Sequence, residues 1–313
     1  MYASTCRSDA RGHKRTSSDL AACRGSYIDE VVCCPPGRAS SATTDKFVVI
    51  DIETTGLFAE DETAPPPDIL CVATAMTTNG TDVDVIESVQ IDSKTARTWP
   101  EDSSDIPAQA MTPAQILELV DYLWCAHLQG MRLLAWNGVG YDFRVLWMHC
   151  HRMCTPQSIV AAERVRTMTL KCCDPMLNFT FRKGFPIKLA AAAAMLLPPM
   201  SKTGDGADCA QNWLQGTNQD RADVLAYCTN DVLMTCAVFS HAVTTGVLTW
   251  RTQGGTSSCW KPASGPQELT ATCEEVSRWN FADNDWMRKK NETGRTLPTA
   301  DQFVGWLLLS NSR

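Results

Sequence analysis

What this chain lacks narrows it first. No apolar run approaches the ~18–20 residues that a bilayer span needs. The longest candidate, Leu189 to Leu197, is short and Ala-rich, and reads as a buried helix. An excess of positive charge is missing as well. The formal net charge is −7, whereas a protein that coats nucleic acid through its phosphates is usually basic. Broad, non-specific coating is therefore set aside, and an enzyme that meets a few nucleotides through metal ions is not. No secretory h-region follows the N-terminus. The 15 cysteines are an odd number in a chain of 313 residues, which is too long to need stapling. Reduced thiols in a cytosol-like compartment are expected, with Cys71 and Cys228 as small core residues. There is no internal repeat and no long coiled-coil pattern.

What is present divides into three stretches. Residues 1–45 are rich in Ser, Arg, Thr, Ala and Cys without a sustained period, and read as a disordered or targeting tail. The first 28 residues carry five basic and two acidic side chains. The two acids count against an organelle-targeting peptide, so a cytoplasmic or nuclear location is expected, with no membrane partner. From residue 46 the pattern becomes regular. Strands are expected at 46–53, 69–77 and 82–91, the last two joined by the hairpin turn "TNGT". An acidic, Pro-rich loop follows the first strand, and another loop covers 93–111. Thr112 as N-cap and Pro113 as first residue open a helix with Ile116, Leu119, Val120, Leu123 and His127 near one face. A strand at 131–137, a helix at 141–153 and a short helix at 187–197 come next. Residues 201–219 read as a loop with one turn of helix. A long helix at 220–246, capped by Gly246, leads to an edge strand at 247–252. Residues 253–313 read as a linker and a short C-terminal helical extension. The order predicts an α/β fold, a mixed sheet with helices packed on it.

The chemistry begins at "KFVVIDIETTGL", residues 46 to 57. Asp51 and Glu53 stand at i and i+2 on a strand and so share a face. Two adjacent carboxylates repel, and burying either costs several kcal/mol. A hard divalent cation, Mg²⁺ or Mn²⁺, resolves the conflict. Further acids stand at the ends of apolar elements. Asp142 follows the Gly-containing turn in "WNGVGYDF". Asp231 lies in "LAYCTNDVL" among apolar neighbours, with Tyr227 one turn earlier on the same helix face. A competing zinc-type cluster, "HCHRMC", offers His149, Cys150, His151 and Cys154. His149 and His151 point to different helix faces, and no CxxC partner pair lies elsewhere.

The set Asp51-x-Glu53, Asp142 and Tyr227-x-x-x-Asp231 resembles the DEDD superfamily of 3′–5′ exonucleases, on the ribonuclease H-like fold. Tyrosine four positions before the last Asp is similar to the DEDDy branch. The sister branch has histidine five before, and position 226 here is Ala. The likeness covers residues 46–252 and extends to a branch of exonuclease domains found alone or beside helicases. It implies two divalent cations held by Asp51, Glu53, Asp142 and Asp231, with Tyr227 orienting the attacking water. It implies a single-stranded 3′ end, DNA or RNA, as partner. Thr54, Thr55, Gly56, Leu57 and Asn137 are then candidates for contact with the terminal nucleotide, and Lys183 and Lys188 for phosphates. No polymerase or helicase segment is present in the chain, which leaves a subunit role in a larger replication, repair or processing complex open. A non-catalytic nucleic-acid-binding or protein-interaction module on the same fold is the alternative.

Overall fold

The computed structural model describes residues 46–59, 64–78, 97–99, 106–282 and 300–308. The expected strand at 82–91, its "TNGT" turn and the tail at 1–45 lie outside them. The described residues belong to one compact unit.

A four-stranded mixed sheet organises it, in the order β3-β2-β1-β4. The strands are β1 (Lys46–Thr54), β2 (Ile69–Thr78), β3 (Arg97–Trp99) and β4 (Arg132–Leu134). β1 pairs antiparallel with β2 and parallel with β4, and β2 pairs antiparallel with β3. The chain thus spends a short strand at 97–99, where a loop was expected. β4 is also shorter than the expected 131–137, because Asn137 turns into the left-handed region (φ 67°) and ends extended backbone.

The helices follow as α1 (Pro113–Leu128), α2 (Asp142–Arg152), α3 (Pro156–Lys171), α4 (Pro175–Lys183), α5 (Leu189–Ala193), α6 (Gly206–Gln215), α7 (Asn218–Thr245), α8 (Cys273–Val276) and α9 (Ala300–Leu308). The opening of α1 is as expected: Thr112 accepts from the amide of Gln115, which returns the bond to the Thr112 amide. Thr155 and Pro156 repeat the device at α3 with Ser158. At 201–219, where a loop with one turn of helix was expected, the longer α6 forms. Asp205 caps it, Cys209 and Trp213 alone are buried, and the Trp213 indole donates to Gln109 O at 2.9 Å.

Alternation along β1 decides which layer each residue meets. Val48, Ile50 and Ile52 are buried with Ile116, Leu119, Leu123, Phe143, Leu146 and Val165 of α1, α2 and α3. Phe47 and Val49 are buried on the other face with Val224, Cys228, Val232 and Phe239 of α7. A strand covered on both sides reads as a continuous apolar run, which is why Phe47 to Ile50 show no polar alternation. The 28-residue α7 is long and apolar enough by composition to cross a bilayer. Here those apolar residues serve two contacts, the sheet and the α5 side of the molecule.

The C-terminal third departs from the expectation. The strand at 247–252 does not extend the main sheet. β5 (Leu248–Arg251) pairs antiparallel with β6 (Ser257–Trp260) as a separate hairpin, in a stretch read as linker. Trp250 and Trp260 bury their rings against Phe179 of α4. Further on, Val304, Trp306 and Leu307 of α9 enter the core shared by α1, α2 and α3.

One close approach sets the turn after β4. A Cβ on Gly138 would stand 2.4 Å from Ala135 Cβ and 2.8 Å from Phe143 Cε2. Gly138→Ala should therefore destabilise the fold by about 1–3 kcal/mol, the usual cost of overpacking a close contact. Thermal denaturation should show a fall of about 2–4 °C per kcal/mol.

Candidate active site

The same alternation that buries Phe47 and Val49 against α7 sends Asp51 and Glu53 to that face. There α7 presents Tyr227 and Asp231, one turn apart and both buried. Register shifts after Glu53, where Thr54 pairs with Ile69 and Leu70 is skipped. A bulge of this kind bends a strand and re-aims its side chains, and it lies directly beside the acids.

Asp142 arrives from a third direction. β4 pairs only with Phe47, Val48 and Val49, so the end of β1 lacks a partner on that edge. Asp142, the first residue of α2, fills the gap: its Oδ1 accepts from the Ile52 amide at 2.9 Å. The carboxyl group is 5% exposed and lies within the field of Asp51.

The turn that delivers Asp142 is held by residues that sequence reasoning missed. Asp174 is buried, and its two oxygens accept from the amides of Asn137 and Val139, each at 3.1 Å, while Oδ1 also caps α4 through Leu177. From the other side the Trp306 indole donates to Val139 O at 3.0 Å. Asn137 thus serves the turn, as its left-handed backbone demands. No sequence signal marked Asp174 beyond its place before Pro175, a common N-cap pattern.

A second missed residue is Lys202. Its Nζ donates to Tyr227 Oη at 2.6 Å and to Asp231 Oδ2, and stands 4.8 Å from the centre of the Tyr227 ring. The loop that carries it packs against the tyrosine: a Cβ on Gly204 would fall 3.4 Å from Tyr227 Cδ2. Among the described residues, Lys202 is the basic side chain in ion-pair contact with the acids. Asp231 Oδ1, by contrast, is buried with no hydrogen-bond partner.

Electrostatics follow from this crowding. Burial raises the pKa of Asp51, and the charge of Asp231 adds to it, with Lys202 opposing. Burial raises Glu53 further, helped by Asp51 and Asp231. Asp142 is raised by burial and by Asp51, and Asp231 by burial, against the pull of Lys202. Tyr227 is pushed up to about 12, mainly by burial, so its hydroxyl is neutral at pH 7.

The remaining expected contacts divide. Thr54 Oγ1 donates to Gly56 O at 2.7 Å and bonds Tyr141 Oη at 2.5 Å. Thr55 Oγ1 accepts from the Asp68 amide at 3.0 Å. Both hydroxyls therefore fix the loop. Gly56 and Leu57 are open to solvent, Leu57 at 84%. Asp51, Asn137, Lys188, Lys202, Tyr227 and Asp231 line one cleft of about 1240 Å³, and Lys183 is not among its lining residues. Among the described residues, the converging metal-ligand type atoms are those of Asp51, Glu53 and Cys228, within 4.8 Å of one another. Cys228 Sγ also donates to Asp51 Oδ2 at 3.5 Å. The "HCHRMC" stretch does not converge: Cys150 is buried, Cys154 is exposed, and His149 Nε2 bonds Pro67 O at 2.9 Å.

Two outcomes are expected. Asp174→Asn keeps one acceptor oxygen for two turn amides, and should cost about 1–3 kcal/mol, read as a lower midpoint in urea. The second concerns pH. The acids titrate higher in the folded chain than in the unfolded one. Their protonated forms therefore favour folding fully below the ordinary carboxylate range, and this is lost as pH rises through the shifted values. With divalent ions chelated, the melting temperature should fall from about pH 4, the ordinary carboxylate range, to about pH 9, the value to which Glu53 is raised. Glu53→Gln should flatten that fall.

A scan against protein-family models gives no match to this chain, and neither does a search of curated proteins.

Proposed function

We propose that the chain is a metal-dependent 3′–5′ exonuclease on a ribonuclease H-like fold, cutting phosphodiester bonds at nucleic-acid ends. One observation carries this reading. Carboxylates from three separated segments, β1, α2 and α7, lie within one another's field, and those of β1 and α7, Asp51 and Asp231, line a cleft together with Tyr227, one turn before Asp231. The direction of cutting comes from the resemblance of the motifs.

The residues present fit a pair of divalent ions. Lys202 pairs directly with Asp231 and its charge reaches Asp51 and Glu53, while a buried Asp231 oxygen has no partner of its own. Asp51, Glu53, Asp142 and Asp231 would hold the ions, all of them oxygen donors suited to Mg²⁺ or Mn²⁺. When bound, such ions acidify an attacking water and stabilise charge on the leaving oxygen.

The chain's own residues supply position. Tyr227 is protonated at neutral pH, so it can orient a water by hydrogen bonding but cannot act as its base. Lys202 locks the Tyr227 hydroxyl and Asp231 in one arrangement. Leu57 follows the fixed Thr54–Gly56 loop and is exposed; in this reading it would meet a terminal base.

Lys202 also favours a second reading, a non-catalytic nucleic-acid-binding module, because it already pairs with Asp231. Labelled DNA and RNA oligonucleotides, single- and double-stranded, separate the two. Wild-type protein should shorten a single strand from its 3′ end in Mg²⁺ or Mn²⁺, and Asp51→Asn and Asp231→Asn should reduce this to background. Binding without shortening on every strand would favour the module. Lys202→Met should lower kcat/KM about 10- to 100-fold, the worth of one charge-assisted hydrogen bond.

A further inference from the structure

The cleft holds more than the acids require. At about 1240 Å³ it exceeds the roughly 300–1,000 Å³ of a site for one small molecule. Besides Asp51, Tyr227 and Asp231, it takes in the β5–β6 hairpin through Trp250, Arg251 and the turn residues Thr252 to Gly254. The hydrolytic chemistry uses none of these.

Two kinds of side chain in this part of the lining point to one occupant. Trp136 and Phe185 are half-buried rings held in place. The Trp136 indole donates to Ile187 O at 3.0 Å, and Phe185 packs edge-on against Phe179 and Trp250. Lys188 and Arg251 are exposed cations of the same lining. Fixed aromatic faces with flanking cations make a platform for unstacked bases and their phosphates. Paired bases are stacked on each other and have no face to offer. The chain as a whole is acidic, at −7, so these cations provide local attraction against an unfavourable background.

We propose that this part of the cleft is a binding groove for the few nucleotides behind the scissile bond of a single strand. Bases lie on Trp136 and Phe185, and phosphates meet Lys188 and Arg251, with the β5–β6 hairpin as the clamp. Which nucleotide enters the acids rests on the exonuclease reading; the binding does not.

The test uses 5′-fluorescein hexathymidylate and fluorescence anisotropy with the full chain, Ca²⁺ replacing Mg²⁺. Wild type should bind the single strand at least about 10-fold more tightly than a blunt, G·C-rich hairpin duplex long enough to stay paired at the assay temperature. The double variant Lys188→Ala, Arg251→Ala should weaken single-strand binding about 10-fold or more. It should reduce the slope of log affinity against log salt by about 1.4, two phosphate contacts at roughly 0.7 each. Both positions are exposed, and an unchanged melting temperature would show the variant folded. Equal affinity and equal slope for variant and wild type would overturn the groove, as would equal binding of the duplex. Strands that bind wild type and lose the variant, yet are never shortened in Mn²⁺, leave the groove standing and remove the exonuclease reading. Shortening by wild type, with binding unaffected in the variant, does the reverse.

Discussion

The structure turns on the mutual repulsion of carboxylates brought together under protein cover. Asp51, Glu53, Asp142 and Asp231 each meet a desolvation penalty; the charges of neighbouring acids add to it at Asp51, Glu53 and Asp142, and Lys202 offsets it at Asp231. When ionised, such an arrangement costs folding free energy through desolvation and through repulsion between like charges. It persists because the surrounding elements over-determine the position of each acid. Asp51 and Glu53 cannot leave without moving a strand buried on both faces. Asp231 cannot leave without shifting the helix that covers one of those faces.

Asp142 shows how much structure one carboxylate can require. It sits at the start of a helix, where an acid is favoured by the helix dipole, but that alone does not aim it at β1. Aim comes from the preceding turn. Asp174 gathers two of the turn's amides, Trp306 takes a carbonyl, and Gly138 permits close contact with Phe143. These supports come from residues 138, 174 and 306, which span more than half of the chain. The segment after residue 252 is therefore part of the device that positions the site.

The acids were legible in the sequence because strand and helix periods are local. A two-residue period places Asp51 with Glu53, and a four-residue spacing places Tyr227 with Asp231. The mixed α/β sheet followed from the same periods. Lys202, Asp174 and Trp306 were not legible, since each acts through a long-range contact that no spacing encodes. α6 was read as a single turn because just Cys209 and Trp213 are buried, too few to raise a longer helical period above the surrounding Gly, Asp and Asn. α3 could have been found. Its Thr155–Pro156 opening repeats the Thr112–Pro113 opening of α1, but its exposed Ile159 and Val160 blur the amphipathic pattern. The β5–β6 hairpin was hidden by its Gly- and Ser-rich turn, which looks like linker when the burial of Trp250 and Trp260 is unknown.

Lys202 resolves a difficulty that the cluster creates for itself. A chain must fold before it can bind ions in a site made from three segments. During that interval the acids have no external counter-charge. A lysine donating to Asp231 and Tyr227 reduces the repulsion without filling the site, because a single ammonium offsets one carboxylate of four. It does so from a loop rather than from the sheet or a core helix. The rigid elements hold the acids at fixed positions while the compensating cation sits on the more adjustable support. Full compensation within the protein would remove any affinity for ions, and none at all would burden the fold. One lysine against four acids lies between those limits, and the unpartnered oxygen of Asp231 is where the remaining imbalance is visible.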